Sequence, residues 1–440
     1  MKIKVLTRNP DNYLRETKRD INKVFRNYDT YLHPFEAERE YMQALNAIKL
    51  ERVFAKPFMG ALSGHSDGIY CMAKHPTTLS WFFSGACDGE IKMWNLNTKS
   101  PLHSIPAHNG FVRGICLPNS GNYFLSCGDD KTIKLWSLNN ILFQKNIKPQ
   151  SMIVSEKIIY GCDHHLSNPL FATSGEEVNI WDINRTEPIK TYTSSIDSSN
   201  CIKFNPVETD ILASAASDRN ITLYDVRKPT YIKKITLKLK TNSLCWNPIE
   251  SWTLTCANED YNAYTLDVRM LTKPRVMHAG HTQAVLDVDY APSGKEIVTA
   301  SFDKTLRIFP VDKGNSREIY HAQRMQRIFC VKWSSDNKYI FSGSDEMNIR
   351  IWKATAWEKL GNLKTRERNA FNYNQKLKEK YENHPEISRI NRHRHIPKPL
   401  YKAKRELLEI KQAQLKKEAN VMKYNKNKTK VVDKIVISEE

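Results

Sequence analysis

Residues 89–96 read "GEIKMWNL", and a segment of the same pattern occurs seven times along the chain. Each copy alternates apolar and polar residues and carries a large apolar residue two positions before its end. Those seven residues are Trp94, Trp136, Trp181, Tyr224, Leu266, Phe309 and Trp352. Successive copies are 42 to 45 residues apart. A period of 40–45 residues with this ending is typical of propeller blades, each made of four short strands.

The repeat predicts an all-β protein, a seven-bladed WD-repeat β-propeller with an N-terminal helical flank and a basic α-helical C-terminal extension. We place the propeller at residues 52–357, where 52–62 supply the strand that closes the seventh blade. Residues 1–51 form the N-terminal extension, polar and extended over 1–30.

One helix is predicted over 35–49, with Phe35, Met42, Leu45 and Leu50 on a single face. Beyond the propeller, residues 358–424 are expected to form a basic helical region, with helices at 365–382 and 402–423. Three prolines, Pro385, Pro397 and Pro399, argue against a continuous helix between them. We expect residues 425–440 to be disordered.

A polar set also recurs with the repeat. It comprises His65, Ser84, Asp88 and Trp94 in the first blade, and His108, Ser126, Asp130 and Trp136 in the second. In propellers of this kind such groups hydrogen-bond as a buried relay, which we expect to be complete only in these two blades. The same His, Ser and Asp could be taken for a catalytic triad. Recurrence from blade to blade argues against that interpretation, because a catalytic site has no reason to repeat.

The composition indicates which classes of partner and environment suit the protein. The net charge is +19, and residues 358–440 hold 22 Lys and Arg against 11 Asp and Glu, which favours a polyanionic partner. The chain has no long apolar run and no secretory signal, so we expect a soluble intracellular protein without a membrane partner. The nine cysteines form no C-x-x-C pair, and we expect neither disulfides nor a metal site. Nothing indicates a cofactor, a small-molecule substrate or an enzyme.

The most basic segment is "SRINRHRHIPKPLYKAKR", residues 388–405. Its candidate binding residues are Arg389, Arg392, His393, Arg394, His395, Lys398, Lys402, Lys404 and Arg405. Arginine makes forked contacts with phosphate, lysine adds point charge, and histidine stacks on unpaired bases. We therefore interpret the segment as a contact for RNA or an acidic partner, with Arg392 and Arg394 on phosphate. A nuclear import signal and a solvated charged surface are the alternatives.

Several stretches together resemble one family of WD-repeat proteins, the Sof-one family, also described as WD and SOF domain-containing proteins. They include "LHPFEAEREYMQALNAIKLERVFAKPF" at 32–58 and "HPEISRINRHRHIPKPL" at 384–400, neither of which is a repeat feature. The resemblance implies a nucleolar component of the small-subunit processome. Its implied partners are processome proteins, the box C/D small nucleolar RNP and pre-ribosomal RNA.

Some members of that family also resemble substrate receptors of a cullin–RING ubiquitin ligase, whose blades end in W-D-x-R. Here the corresponding stretches are "YDVR" at 224–227 and "LDVR" at 266–269, without the Trp. The resemblance makes Arg227 and Arg269 candidate contacts for a ligase adaptor. The competing interpretation is an ion pair between each arginine and the Asp two residues before it.

Overall fold

A computed structural model of the chain describes residues 29–138, 141, 148–193, 197–424 and 435–439. The predictions for 1–28, 425–434 and 440 lie outside the described residues. The described part divides into two compact units. One comprises residues up to Pro57 together with Thr355–His393, and the other comprises Phe58–Ala354 together with the chain from Arg394 onward.

The larger unit contains seven antiparallel sheets, six of four strands and one of five, which confirms the predicted seven-bladed propeller. The first blade contains β2 (Ile69–Lys74), β3 (Trp81–Ala86), β4 (Glu90–Asn95) and β5 (Ser100–Pro106). The second contains β6 (Val112–Cys116), β7 (Tyr123–Gly128), β8 (Thr132–Ser137) and β9 (Ser151–Val154). The third contains β10 (Gly161–His164), β11 (Leu170–Ser174), β12 (Val178–Asp182) and β13 (Lys190–Tyr192).

The remaining blades follow the same order. The fourth contains β14 (Ser199–Phe204), β15 (Ile211–Ala216), β16 (Asn220–Asp225) and β17 (Tyr231–Leu237). The fifth contains β18 (Thr241–Trp246), β19 (Thr253–Asn258), β20 (Ala263–Asp267) and β21 (Val276–His278). The sixth contains β22 (Val285–Tyr290), β23 (Glu296–Ser301), β24 (Leu306–Pro310) and β25 (Glu318–Tyr320). The seventh contains β26 (Ile328–Trp333), β27 (Tyr339–Ser344) and β28 (Asn348–Lys353), and it is completed by β1 (Phe58–Ser63).

The ring closes where β1 pairs antiparallel with β28, which brings Leu62 opposite Ile349. The closing strand therefore starts later than the expected residue 52, because Arg52 and Val53 belong to the preceding helix. Leu62 is fully buried in a cluster with Trp94 and Ile349. This contact joins the first blade, the seventh blade and the closing strand β1 in one core. The pairing of β1 also removes the open edge of β28.

The turn between the second and third strands of a blade explains the repeated Asp. In the first blade the Asp88 carboxylate accepts the Glu90 backbone N–H at 3.0 Å, and in the second Asp130 accepts that of Thr132 at 3.2 Å. The residue between them has a positive φ, 88° at Gly89 and 60° at Lys131. Gly89 is also required for space, since a Cβ there would lie 1.9 Å from the His108 carbonyl oxygen.

The smaller unit is helical. It contains a short 3₁₀ turn (Thr30–Leu32), α1 (Glu36–Val53), α2 (Thr365–Lys380) and α3 (Pro385–Arg392). Its core comprises Ala44, Leu45, Ile48, Leu377 and Ile387. The predicted apolar face of α1 was wrong apart from Leu45, because Phe35, Met42 and Leu50 are at least half exposed. The small side chains of Ala44 and Ala47 form the buried face instead, where they allow close approach of the neighbouring helices.

Two further corrections concern the chain after the propeller. The segment expected to link two helices contains α3, since Pro385 stands in the first turn, where proline initiates a helix rather than breaking it. The last helix, α4 (Lys398–Tyr424), begins four residues earlier than predicted. The expectation of a disordered tail was wrong for β29 (Val436–Glu439), which pairs antiparallel with β17 and buries Val436.

Candidate functional site

The polar relay of the second blade is complete. His108 Nδ1 lies 2.9 Å from an Asp130 carboxylate oxygen, and its Nε2 lies 2.7 Å from Ser126 Oγ. The carboxylate requires a proton on Nδ1, so Nε2 accepts the Ser126 hydroxyl. The indole N–H of Trp136 donates to the same Ser126 oxygen at 3.0 Å. The side chains of His108, Ser126 and Trp136 are buried, and each polar atom of this relay has a hydrogen-bond partner.

The first blade has only half of this relay, contrary to our expectation. His65 Nε2 lies 2.6 Å from Ser84 Oγ, and Trp94 donates to that oxygen at 2.7 Å. The Asp88 carboxylate, however, accepts the Ser66 hydroxyl at 2.5 Å, and the buried Nδ1 of His65 has no hydrogen-bond partner among the described residues.

Residue 90 explains the difference between these blades. The second blade has Thr132 at this position, and its hydroxyl donates to Asp130 at 2.8 Å and holds the carboxylate beside His108. The first blade has Glu90, which cannot donate. Its carboxylate binds Lys92 at 3.0 Å and stays 3.7 Å from His65. The sixth blade, which has Thr305, restores the pair between His281 and Asp303 at 2.9 Å.

These environments fix the protonation states. Burial, assisted by the charge of Lys92, lowers the pKa of His65 to about 4. Burial likewise lowers the pKa of His108, although Asp130 opposes it. Burial alone would raise the pKa of Asp303, but His281 and Thr305 lower it to about 2. Neutral rings and ionised carboxylates are therefore the resting states at neutral pH.

The geometry of the first blade does not form a catalytic triad. Ser84 is fully buried, and Asp88 makes no contact that would orient His65. The Ser84 oxygen accepts the Trp94 indole N–H and lies within hydrogen-bond distance of His65 Nε2. The set is a structural brace between strands.

The structure places the basic segment in two parts. Arg389, Arg392 and His393 belong to the helical unit, at the end of α3, and all three are exposed. The Arg392 guanidinium binds the Ser388 hydroxyl of its own helix, with Nε at 3.0 Å. In the same unit Arg52 donates to the Asn391 carbonyl at 3.2 Å, which attaches this end of α3 to α1.

Arg394 and His395 belong to the larger unit, where they attach the segment to the sixth blade. Arg394 Nε donates to the Arg317 carbonyl oxygen at 2.7 Å and lies 3.0 Å from the Glu318 carboxylate. The Arg394 and Glu318 side chains are only 12% and 7% exposed. His395 lies against His321, with ring centroids 5.6 Å apart. The expectation that Arg394 is available to phosphate is therefore corrected, because Glu318 already neutralises its charge.

The remaining cations lie on α4. Lys398, Lys402 and Arg405 are exposed and follow one another at spacings of four and three residues, which places them on one helix face. Leu400, Ala403 and Leu407 are half-buried and lie on the opposite face. Arg405 also pairs with Glu409 at 3.0 Å. Lys404 is exposed as well, and desolvation together with the charge of Arg307 in the sixth blade lowers its pKa.

Arg227 and Arg269 occupy the same turn in adjacent blades, and both make the ion pair given as the competing interpretation. Arg227 Nε lies 3.1 Å from Asp225, and Arg269 makes a forked contact with Asp267 at 3.0 and 2.8 Å. Backbone hydrogen bonding from Arg227 contributes most to the lowered pKa of Asp225. The two arginines are still 70% and 65% exposed, so the ion pairs orient them without covering them.

Sequence reasoning missed the tryptophan beside Arg269. Its guanidinium lies 4.5 Å from the centre of the Trp252 ring, a cation–π contact on a partly exposed aromatic residue. Exposed Ile249 belongs to the same loop. Trp252 stands in "NPIESW", in the first turn of its blade. A large apolar residue in such a polar turn could have indicated an exposed contact residue from the sequence alone.

Charged residues of the innermost strands were missed as well. Two of them, Lys203 and Lys332, line a cavity of about 440 Å³ between these strands. The Asp163 carboxylate lies 2.9 Å from Lys203 of the next blade and also accepts the Phe204 backbone N–H at 2.8 Å. Asp289 and Lys332 repeat the pairing between the sixth and seventh blades at 3.5 Å. All four residues share one repeat position, so aligning the innermost strands would have revealed these ties between blades.

The described residues contain no group of three or more His, Cys, Asp or Glu placed to hold a metal ion. None of their helices is long and apolar enough to cross a membrane.

Comparison with known proteins agrees with this architecture. A Sof1-like domain matches residues 354–435, and the WD domain, G-beta repeat, matches 56–95, 99–137, 272–309 and 316–353. The chain is 56% identical to "DDB1- and CUL4-associated factor 13" of Homo sapiens and 55% identical to that of Xenopus laevis. Each match spans 97% of this chain and 96% of the relative. "Protein SOF1" of Saccharomyces cerevisiae is 43% identical over 97% of this chain and 92% of its own length. The chain belongs to the Sof1-like family of WD-repeat proteins.

Proposed function

We propose that the protein is a non-catalytic scaffold of the small-subunit processome that acts in nucleolar ribosome biogenesis. In this proposal the propeller contacts proteins, including those of the box C/D small nucleolar RNP. The basic arm, which comprises residues 394–424, contacts pre-ribosomal or small nucleolar RNA. Membership of the family supports the role. The single observation that carries the RNA contact is the exposed cationic face of α4.

That face has the properties of a phosphate-binding surface. Lys398, Lys402 and Arg405 extend over two helical turns, roughly 10 Å along the axis, and all three are exposed. The contacts of Arg394 and His395 with the sixth blade fix the start of the helix. A pre-positioned row of cations loses less conformational entropy on binding than a disordered tail would lose.

Neutralising this face tests the RNA contact. We expect K398Q/K402Q/R405Q to bind small-subunit precursor RNA roughly 10- to 100-fold more weakly, and its slope of log K against log salt to fall by about 2. The matched control is K228Q/K295Q/K338Q, which removes three exposed propeller lysines. Equal affinity and salt slope in the two triple variants would exclude an RNA role for α4.

Crosslinking in cells tests the wider role. RNA crosslinked to the full chain should be enriched in small-subunit precursor and in its guide RNA, and the protein should localise to the nucleolus. A lack of enrichment for both RNAs would overturn the proposed processome function. Enrichment that survives in K398Q/K402Q/R405Q would instead move the RNA contact to another part of the protein.

A second candidate function is that of a substrate receptor for a cullin–RING ubiquitin ligase. The names of the animal relatives support it, as does the equivalent placement of Arg227 and Arg269 in adjacent blades. Exposed arginines are frequent anchors of protein interfaces, and Arg269 is in addition held by a forked ion pair beside the Trp252 ring. In this function the arginines and Trp252 would contact the DDB1 adaptor.

Charge reversal tests the ligase function separately. R227E/R269E should abolish recovery of DDB1 with the protein while leaving RNA crosslinking unchanged. Arg185→Glu is the matched control, since Arg185 is exposed in the corresponding turn of the third blade but stands one residue later. Undiminished recovery of DDB1 with R227E/R269E would rule out these arginines as the adaptor contact.

A further inference from the structure

The outer edge of the fourth blade differs from the other outer edges. Outer strands expose unpaired backbone groups, and proteins usually protect them by short length, proline or bulges. Here β9, β13, β21 and β25 are only three or four residues long. The longer β5 contains Pro101 and Pro106, and β1 carries an irregularity at Phe58/Gly60.

Proline is absent from β17, although the strand carries an irregularity at Leu223/Tyr224 of its pairing with β16 and two lysines, Lys233 and Lys234. It runs for seven residues, "YIKKITL", with no proline and with two isoleucines that favour a strand. Tyr231 and Ile232 at its start are each 41% exposed. Its seven residues nevertheless give an edge long enough for another strand to pair with.

In the structure this edge is occupied by β29. Thr236 faces Ser438 and Leu237 faces Val436 in an antiparallel register, which gives the fourth blade a fifth strand. Val436 is only 5% exposed and lies in the apolar cluster that contains Ile235, Leu237 and Leu271. The contact therefore combines backbone pairing with a side chain set into a pocket, the two parts of recognition by strand addition.

Charge is also complementary along this edge. Lys233 and Lys234 lie in β17, and the paired strand β29 ends at Glu439. Glu439 is in register with Ile235, next to these lysines in the strand. The edge thus suits an extended peptide whose apolar residues are followed by acidic ones. The match to the Sof1-like domain ends at residue 435, just before this strand.

We propose that the outer edge of the fourth blade is an exchangeable strand-binding site for an extended apolar peptide with an acidic end, and that β29 (Val436–Glu439) of this chain is its occupant. Covalent attachment gives the resident segment a high effective concentration, so it outcompetes the same peptide added in solution. The site is separate from the cationic face of α4 and from Arg227 and Arg269.

A labelled peptide of residues 430–440 tests the site directly. It should bind weakly to the full chain and at least tenfold more tightly to the full-length V436D variant, whose resident strand is weakened. A peptide carrying Val436→Asp should not bind, whereas one carrying Val431→Asp, before the strand, should bind normally. A failure of the wild-type peptide to bind V436D, or equal binding by both substituted peptides, would overturn the proposal.

Hydrogen exchange gives a second measurement that does not need added peptide. The backbone amides of β17 should exchange at least tenfold faster in V436D than in the wild type, while those of β5 are unchanged. Equal exchange of β17 in both proteins would refute occupancy by β29. If V436D converts a dimer into a monomer, the strand comes from a second copy, and the proposed occupant within the same chain is wrong.

Discussion

At the scale of single residues, one hydroxyl decides how firmly a blade is braced. Ser126 serves two buried neighbours at once, since it donates to His108 and accepts from Trp136. A buried polar group without a hydrogen-bond partner lowers the free energy of unfolding by about 1–3 kcal/mol. Removing this hydroxyl leaves two such groups rather than one. The half-built relay at His65 shows that the fold tolerates one such loss.

We predict that Ser126→Ala lowers the free energy of unfolding by about 2–4 kcal/mol, because both neighbours lose a partner. Urea denaturation measures the change. Ser137→Ala is the matched control on the adjacent strand, where the serine is partly exposed, and it should change stability by less than about 0.5 kcal/mol. A loss no larger than that of the control would contradict the role of the relay.

At the scale of elements, the attachment of the arm rests on a small number of contacts. No side chain of α4 is fully buried, so the helix is held chiefly by its first turns and by the segment before it. There the Arg394–Glu318 pair is the most buried contact of the arm. Breaking one partner of such a pair leaves an uncompensated charge.

We predict that Arg394→Gln speeds amide exchange over residues 400–407 at least tenfold, because Glu318 loses its cation and the arm detaches more often. Hydrogen exchange followed by mass spectrometry measures it. Arg405→Gln, which removes an exposed pair within the same helix, should have almost no effect. Adding Glu318→Gln to Arg394→Gln should restore part of the protection, and the absence of any coupling would argue against the pair as the anchor.

These elements also show what the sequence could predict. Apolar alternation and the 42–45-residue period specify the blades, because each blade repeats the same local packing. The eight-residue helix α3 was not predicted, because its first residue is a proline and only Ile387 is buried. So short a helix with one buried residue shows little apolar periodicity. The partner of Arg394 could not be read from the sequence, since Glu318 lies 76 positions away and the pair exists only after the sixth blade folds.

The candidate site was predictable to a smaller extent. The exposed cations of α4 and the blade-edge arginines follow from composition and repeat position. The incomplete relay of the first blade could have been predicted, since Glu90 replaces the threonine found at 132 and 305. Its effect, however, depends on which way Asp88 turns, and that is decided by a competing hydrogen bond from Ser66.

At the scale of the whole molecule, acid sensitivity is distributed around the ring. His65 and His278 are buried in different blades, and burial lowers the pKa of each to about 4. Each takes up a proton near pH 6.5 when unfolded but resists doing so when folded. Their contribution to stability is therefore complete above pH 6.5 and is lost as the pH falls toward 4.

We predict that the free energy of unfolding falls by roughly 2–3 kcal/mol for each of these histidines between pH 7 and pH 4. Thermal unfolding across that range measures the slope. His65→Asn should flatten the pH dependence, whatever its effect on stability at pH 7. An identical slope in wild type and His65→Asn would disprove the assignment.

The closure of the ring by β1 has a consequence in time. The strand that completes the seventh blade is made first, at Phe58–Ser63, but its partner β28 ends at Lys353. At a synthesis rate of about 5–20 residues per second, β1 waits roughly 15–60 s for that partner to be translated. During this interval its apolar Leu62 has no seventh blade to enter. A nascent chain stalled before β28 should accordingly bind chaperones more strongly than one released after Lys353.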